Sequence, residues 1–199
     1  MMKLLNQEFS FTVDLSNLPC GMNGALYLSA MEKDGGRSSM NPAGAAYGTG
    51  YCDAQCPKQA FTNGVANTNN LGACCNEMDI WEANSASTQM TPHVCAADSL
   101  FTCSGSQCPQ CDTAGCGYNT YSVGDHSFYG RNNSHTVDST QTMKVVTQFI
   151  TSNNKVSGNL TEIRRLYIQN GQVIQNGAFT FNGAQVNSIT PTYLSLIHI

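Results

Sequence analysis

The chain has 199 residues, a formal net charge of −4, and only 11% charged residues against 41% hydrophobic ones. That length suits one sizeable domain, and the acidic balance excludes a basic nucleic-acid-binding surface. It contains no run of about 20 apolar residues, so no helical membrane span is expected.

Phe9, Phe11, Val13 and Leu15 alternate with Ser10, Thr12 and Asp14, which predicts a half-buried strand. Leu26, Leu28 and Ala30 alternate with Tyr27 and Ser29 in a second, followed by an Asp34-Gly35 turn. Residues 74–82 read as a third strand, short and with a β-branched residue and an aromatic. Met143, Val145, Thr147 and Phe149 line one face of another. Residues 163–168 and 172–174 flank Asn170-Gly171, the strongest short hairpin signal. No segment shows a helical period, and no internal repeat or interdomain linker is evident. The expected fold class is all-β, an antiparallel sandwich or jelly roll.

The most informative stretch is Cys74-Cys75-Asn76-Glu77-Met78-Asp79-Ile80-Trp81-Glu82, which places three carboxylates within six residues of a charge-poor chain. Charges are costly in an interior unless paired or functional. Here they alternate with core-forming side chains, which suggests the floor of a cleft, although residue types alone equally allow a solvated edge strand. Two carboxylates flanking a bond are what glycoside hydrolysis needs. Glu77 and Asp79 should share a face of the strand, whereas strict alternation sends Glu82 to the other, roughly 16 Å from Glu77 at about 3.3 Å per residue. Retaining glycosidases hold their carboxyls about 5–5.5 Å apart and inverting ones about 6.5–9.5 Å. A bulge or bend between Asp79 and Glu82 is therefore expected, and the motif alone does not separate the two chemistries.

Ten cysteines point to an oxidising compartment, and Asn132-Asn133-Ser134 and Asn159-Leu160-Thr161 are glycosylation sequons. Cys52-x3-Cys56 with Cys74-Cys75 fits no common zinc spacing, so no metal is expected. Cys108 and Cys111 have redox CxxC spacing without the βαβ context that would support it. Disulfides are the better account, and no cofactor is expected.

At these residues the chain resembles glycoside hydrolase family 7, the fungal and protist cellulases. The blocks that carry the resemblance are Leu-Pro-Cys-Gly-Met-Asn-Gly-Ala-Leu-Tyr at 18–27, Tyr-Gly-Thr-Gly-Tyr-Cys-Asp-Ala-Gln-Cys-Pro at 47–57, and Cys-Cys-Asn-Glu-Met-Asp-Ile-Trp-Glu-Ala-Asn at 74–84. Thr-Pro-His at 91–93 and Val-Val-Thr-Gln-Phe at 145–149 follow, and the likeness runs from about residue 4 to 181. The resemblance implies a concanavalin-like jelly roll with a concave glucan-binding cleft, and retaining hydrolysis of β-1,4-glucan. It implies Glu77 as nucleophile, Glu82 as acid/base and Asp79 as the acid that orients Glu77. Asn23, Tyr27, Tyr51, Asp53, Gln55 and His93 match the family's sugar-binding positions, although a strand tyrosine or a loop histidine is more often structural. The implied disulfides are Cys52–Cys75, Cys56–Cys74, Cys95–Cys111 and Cys103–Cys108, leaving Cys20 and Cys116 over. Trp81 is given no direct role.

Several features of the resemblance favour endo attack: a short loop between Cys56 and Cys74, only Pro109-Gln110 between Cys108 and Cys111, and Ala114 and Gly117 where exo-acting members carry product-site acids. The small loop closed by Cys103 and Cys108 looks more exo-like. A processive cellobiohydrolase is the alternative, and a catalytically dead fragment or lectin-like glucan-binding module is the alternative from another class. The expected partner is a glucan chain, with no nucleic acid and no membrane, bound by a secreted monomer. Residues 1–7 hold no apolar run long enough for a signal peptide. The family's matching block lies well inside its domain, so the chain is expected to be an internal and incomplete piece. Residues 1–193 are expected to be partial catalytic domain and 194–199 a non-native or truncated tail.

Overall fold

The computed structural model describes residues 2–104, 108, 110–181 and 183–197. Pro109, residues 105–107 of the loop closed by Cys103 and Cys108, and the last two residues of the expected tail lie outside them. In chain order the strands are β1 (Gln7–Val13), β2 (Gly24–Ser29), β3 (Phe61–Thr62), β4 (Val65–Ala66), β5 (Gly72–Cys74), β6 (Glu77–Ala83), β7 (Thr88–His93) and β8 (Phe101–Cys103). They continue with β9 (Tyr129–Gly130), β10 (Val137–Asp138), β11 (Met143–Thr151), β12 (Leu160–Gln169), β13 (Gln172–Gln175), β14 (Phe179–Phe181) and β15 (Ala184–Val186), then helix α1 (Pro191–Ile197). The architecture is the antiparallel all-β one that the alternation predicts, apart from the two-residue parallel pair β9–β10.

The chain divides into two compact units. One comprises Tyr27–Asp79 and Thr91–Gly115; the other comprises Met2–Leu26, Ile80–Met90 and the chain from Cys116 onward. The division falls within β2, β6 and β7, which are hydrogen-bonded in that order.

The second unit is built on a four-stranded sheet, β1-β11-β12-β13. Its register aligns Phe11, Val145 and Tyr167 in one row and Phe9, Thr147 and Arg165 in the next. Period-2 alternation sends one side of each strand inward. Met143, Val145, Thr147 and Phe149 are buried on β11, and Ile163, Arg165, Tyr167 and Gln169 on β12. Trp81 packs against this face, with ring centroids 5.9 Å from Phe11 and 6.2 Å from Tyr167. The β12–β13 hairpin turns at Asn170 (φ 52°) and Gly171 (φ 76°), the paired positive φ values that a type I′ turn requires.

Helix α1 departs from the sequence reading, which found no helical period. Seven residues are too few to display one. The helix starts because the Thr190 hydroxyl accepts from the Tyr193 amide (3.2 Å) with Pro191 at the first position. Tyr193 is buried and donates to the Gly117 carbonyl at 2.6 Å.

The first unit is made of short strands and long connections, and its interior is largely sulfur and small side chains. Cys52, Ala73 and Cys75 form one buried cluster, and Ala54, Cys74, Cys95, Cys103 and Cys111 another. Four disulfides join Cys52–Cys75, Cys56–Cys74, Cys95–Cys111 and Cys103–Cys108, the same four pairs that the family resemblance implies. Cys20 is exposed and Cys116 buried, and both lie in the second unit outside these pairs.

Candidate active site

Strand β6 carries all three acids. From Glu77 to Ala83 every residue is buried except Glu82, which is half-buried, so both faces of the strand are covered. This explains why Met78, Ile80 and Trp81 interleave with the carboxylates.

In the first unit, Glu77 is 9% exposed and Asp79 8%. Glu77, Asp79 and His93 each bring a donor or acceptor atom within 4.8 Å of the others, so the two acids share a face as alternation requires. The Ala54 amide donates to Glu77 Oε2 at 3.3 Å. His93 donates from Nε2 to Asp79 Oδ2 at 3.0 Å and from Nδ1 to the Asp112 carbonyl at 2.9 Å. The Asp112 carbonyl can only accept, so Nδ1 carries hydrogen, and the charged imidazole also donates from Nε2. The hydrogen bond to Asp79 accordingly raises the imidazole to about 9, against the opposing effect of burial. Burial lifts Glu77 above the usual carboxylate range, and the Asp79 charge adds to this, while the Ala54 amide and His93 oppose it. Three potential metal ligands converge here, yet His93 Nε2 is already spent on Asp79. The four converging sulfurs of Cys56, Cys74, Cys103 and Cys108 are committed to disulfides.

His93 is held from behind by Gly115. At φ 69°, a Cβ there would meet Thr91 Cγ2 at 2.4 Å and the His93 ring at 2.5 Å. Only glycine lets the Asp112–Gly115 turn lie against the imidazole. The same turn is closed by the Gly115 amide on Asp112 Oδ1 at 2.9 Å.

Four of the five expected sugar-binding residues of this unit, Tyr27, Tyr51, Asp53 and Gln55, form a connected group. Tyr51 donates to Asp53 Oδ2 at 2.8 Å, and the Gln55 amide donates to Asp53 Oδ1 at 2.8 Å. Tyr51 stands edge-on to Tyr27, with centroids 6.3 Å apart. Gln55 Nε2 reaches the Thr113 carbonyl at 3.2 Å. Tyr27 and Gln55 are exposed, Tyr51 half-buried, and Asp53 and His93 buried. Asp53 thus offers its oxygens to neighbours, and His93 offers both nitrogens inward.

In the second unit, Asn23 donates from Nδ2 to Glu82 Oε1 at 3.0 Å. The pair opens on a groove of about 260 Å³ lined also by Met22, Asn84, Gln89 and Asn119. These amides were not singled out from the sequence. Asn84 was legible as part of the quoted 74–84 block, whereas Gln89 and Asn119 carried no local pattern. Sequence reasoning also missed Ala54, Asp112 and Gly115, which act through backbone, and Arg165, whose signal was a charge at an inward strand position.

The family model described as glycosyl hydrolase family 7 matches residues 1–197. The endo-beta-1,4-glucanase celB of Aspergillus oryzae is 58% identical over 198 residues, covering 98% of this chain and 47% of that protein. A solved endocellulase from Humicola insolens is 44% identical with a TM-score of 0.92, over 98% of this chain and 49% of that one. A solved family 7 cellobiohydrolase from Daphnia pulex is 40% identical with a TM-score of 0.90, over 98% of this chain and 50% of that one. The chain therefore spans about half the length of the relatives it matches, and its fold is that of the family's β-sandwiches.

Proposed function

Because the chain belongs to glycosyl hydrolase family 7, we propose that it acts as a retaining hydrolase of β-1,4-glucosidic bonds in cellulose, cutting internally. The observation that carries this reading is the unlike setting of the two outer acids of β6. Glu77 is buried and fixed by the Ala54 amide beside Asp79, which the protonated His93 holds in turn. Glu82 is half-buried, bonded to Asn23, and opens on an amide-lined groove. A fixed carboxylate suits a nucleophile, and a reachable one suits proton exchange with a leaving group and then with water.

In the first step a Glu77 oxygen bonds to the anomeric carbon as the bond to the leaving sugar oxygen breaks, and Glu82 gives that oxygen its proton. In the second, water attacks the same carbon, Glu82 takes the water's proton, and the Glu77 ester bond breaks. Two displacements retain configuration. Asp79, steadied by His93, orients Glu77. Tyr27, Tyr51, Gln55 and Asn23 offer rings and polar groups to glucose units, Asp53 holds Tyr51 and the Gln55 backbone in place, and His93 contributes through Asp79.

Endo attack is supported by the 58% identity to an endoglucanase and by the short connections around Cys56–Cys74 and Cys108–Cys111. We further propose a secreted, monomeric glycoprotein. Four disulfides support the first, and the exposure of Asn132 and Asn159, the acceptors of the two sequons, supports the last.

The test is made on the full-length protein. NMR of the first product should show the β anomer, and carboxymethylcellulose should lose viscosity quickly for few reducing ends. Inversion would overturn the mechanism. Processive release of cellobiose from crystalline cellulose would replace endo attack with the cellobiohydrolase alternative.

A further inference from the structure

Arg165 is the side chain that the inward row of β12 explains least. It is 1% exposed, between the buried Ile163 and Tyr167. A cation taken out of water is costly unless a counter-charge or several hydrogen bonds replace its hydration. The ion pairs among the described residues are His93–Asp79 and Arg164–Glu162, so no described carboxylate neutralises Arg165. Burial accordingly pulls the guanidinium below its usual range.

Arg165 has other partners. Nη2 donates to the Ile80 carbonyl, and Nε donates to the Thr147 hydroxyl at 3.2 Å. The guanidinium carbon lies 5.4 Å from the centre of the Trp81 ring and 6.0 Å from that of Tyr167, within cation–π reach of both. Two of these contacts fall on Ile80 and Trp81, the residues that separate Asp79 from Glu82 on β6. The planar fork grips a peptide carbonyl and a neighbouring strand at once, which a point-charge lysine cannot reproduce.

A regular strand sends Glu82 to the face opposite Glu77 and Asp79. The direction in which β6 presents the Glu82 carboxyl therefore depends on how its backbone is held at Ile80 and Trp81. We propose that Arg165 is a positioning residue for the acid/base: by gripping the Ile80 carbonyl and facing the Trp81 indole, it fixes the direction in which β6 presents the Glu82 carboxyl. The proposal rests on the reading of Glu82 as acid/base.

Its signature is leaving-group dependence, because a displaced acid is felt only where the departing oxygen needs a proton. In the full-length protein, Arg165→Met should lose about 10- to 100-fold more kcat/KM on cellotetraose than on dinitrophenyl cellobioside, a share of the 10²–10⁴ that positioned proton transfer supplies. Azide should speed turnover of the aryl substrate by the variant, since it needs no general base. Arg165→Lys should show a weaker form of the same pattern, and Thr147→Val the weakest. Glu82→Gln is the control. If it lacks leaving-group dependence, the acid/base reading falls. If it shows it while the Arg165 and Thr147 variants lose both substrates by one common factor, Arg165 is merely structural and the proposal is overturned. Should Arg165→Met fail to fold, Arg165→Lys and Thr147→Val decide.

Discussion

Around Glu77 and Asp79, the first unit is held by covalent and polar ties: four disulfides, a histidine bonded on both sides, and a turn that tolerates only glycine. Around Glu82, the second unit is held by long paired strands and an aromatic interior, with Trp81 against Phe11, Tyr129 and Tyr167. All four disulfides lie in the first unit, while the two cysteines outside them lie in the second. The difference follows from strand length. Strands of two or three residues bury too little apolar area to hold themselves, so cross-links substitute. Strands of nine and ten residues, β11 and β12, need none.

The largest effect expected is at Glu77. Glu77→Gln should abolish turnover in the full-length protein while raising the unfolding midpoint at neutral pH. A carboxyl whose pKa is raised on folding loses stability as pH climbs through that value, so the variant's advantage should widen from acid to neutral pH. Calorimetry at the two ends of that range checks this. A lower midpoint at neutral pH would mean that the carboxylate is not held at a cost.

Next comes the covalent support. Replacing Cys56 and Cys74 together by serine should cost about 2–4 kcal/mol, and Ile163→Ala on β12 should cost about 2–5 kcal/mol. Hydrogen exchange in dithiothreitol sharpens the contrast. Amides of β5 and β8 should lose protection while those of β11 and β12 keep it. Equal loss in both would erase the distinction between the units.

Gly115→Ala should cost about 1–3 kcal/mol, because alanine is strained at positive φ and its Cβ would displace His93. Urea unfolding measures the cost, and an unchanged midpoint would show that the turn moves freely.

The smallest effect is a pH dependence. His93 has its pKa raised from 6.5 to about 9, so its contribution is complete below about pH 6.5 and disappears as pH rises through about 9. The stability gap between the protein and His93→Gln should close over that interval. A gap that is constant with pH would mean that the imidazole is not held protonated by Asp79.

What the sequence disclosed depended on the range of each interaction. Residues 9–15 and 143–149 announced their strands because alternation is local, and Asn170-Gly171 announced its turn because the φ requirement is intrinsic to two residues. Pairs such as β3–β4 and β9–β10 are too short to carry any period. Glu77 and Asp79 were legible as a same-face pair. The Ala54 amide on Glu77, 23 residues away, and Arg165 on Ile80, 85 residues away, were not, because no local pattern encodes a long-range contact to backbone. The cysteine spacing left pairing open on its own terms, and the family resemblance supplied it.

The adjacency of Cys74 and Cys75 bears on how the chain acquires its cross-links. Their partners are nested, with sequence separations of 18 and 23 residues, and exchanging partners would alter each loop by a single residue. Loop-closure entropy varies only with the logarithm of length, so it cannot tell right from wrong pairing here. Discrimination must come from the opposite directions of adjacent side chains in an extended segment. That direction exists only once the Cys75 amide has found the Asp53 carbonyl (3.0 Å) and the Ala73 amide the Pro57 carbonyl (2.8 Å). The yield of correctly oxidised protein is therefore a race between this backbone registration and the oxidant, and a slow oxidant or an isomerase favours the native pairs.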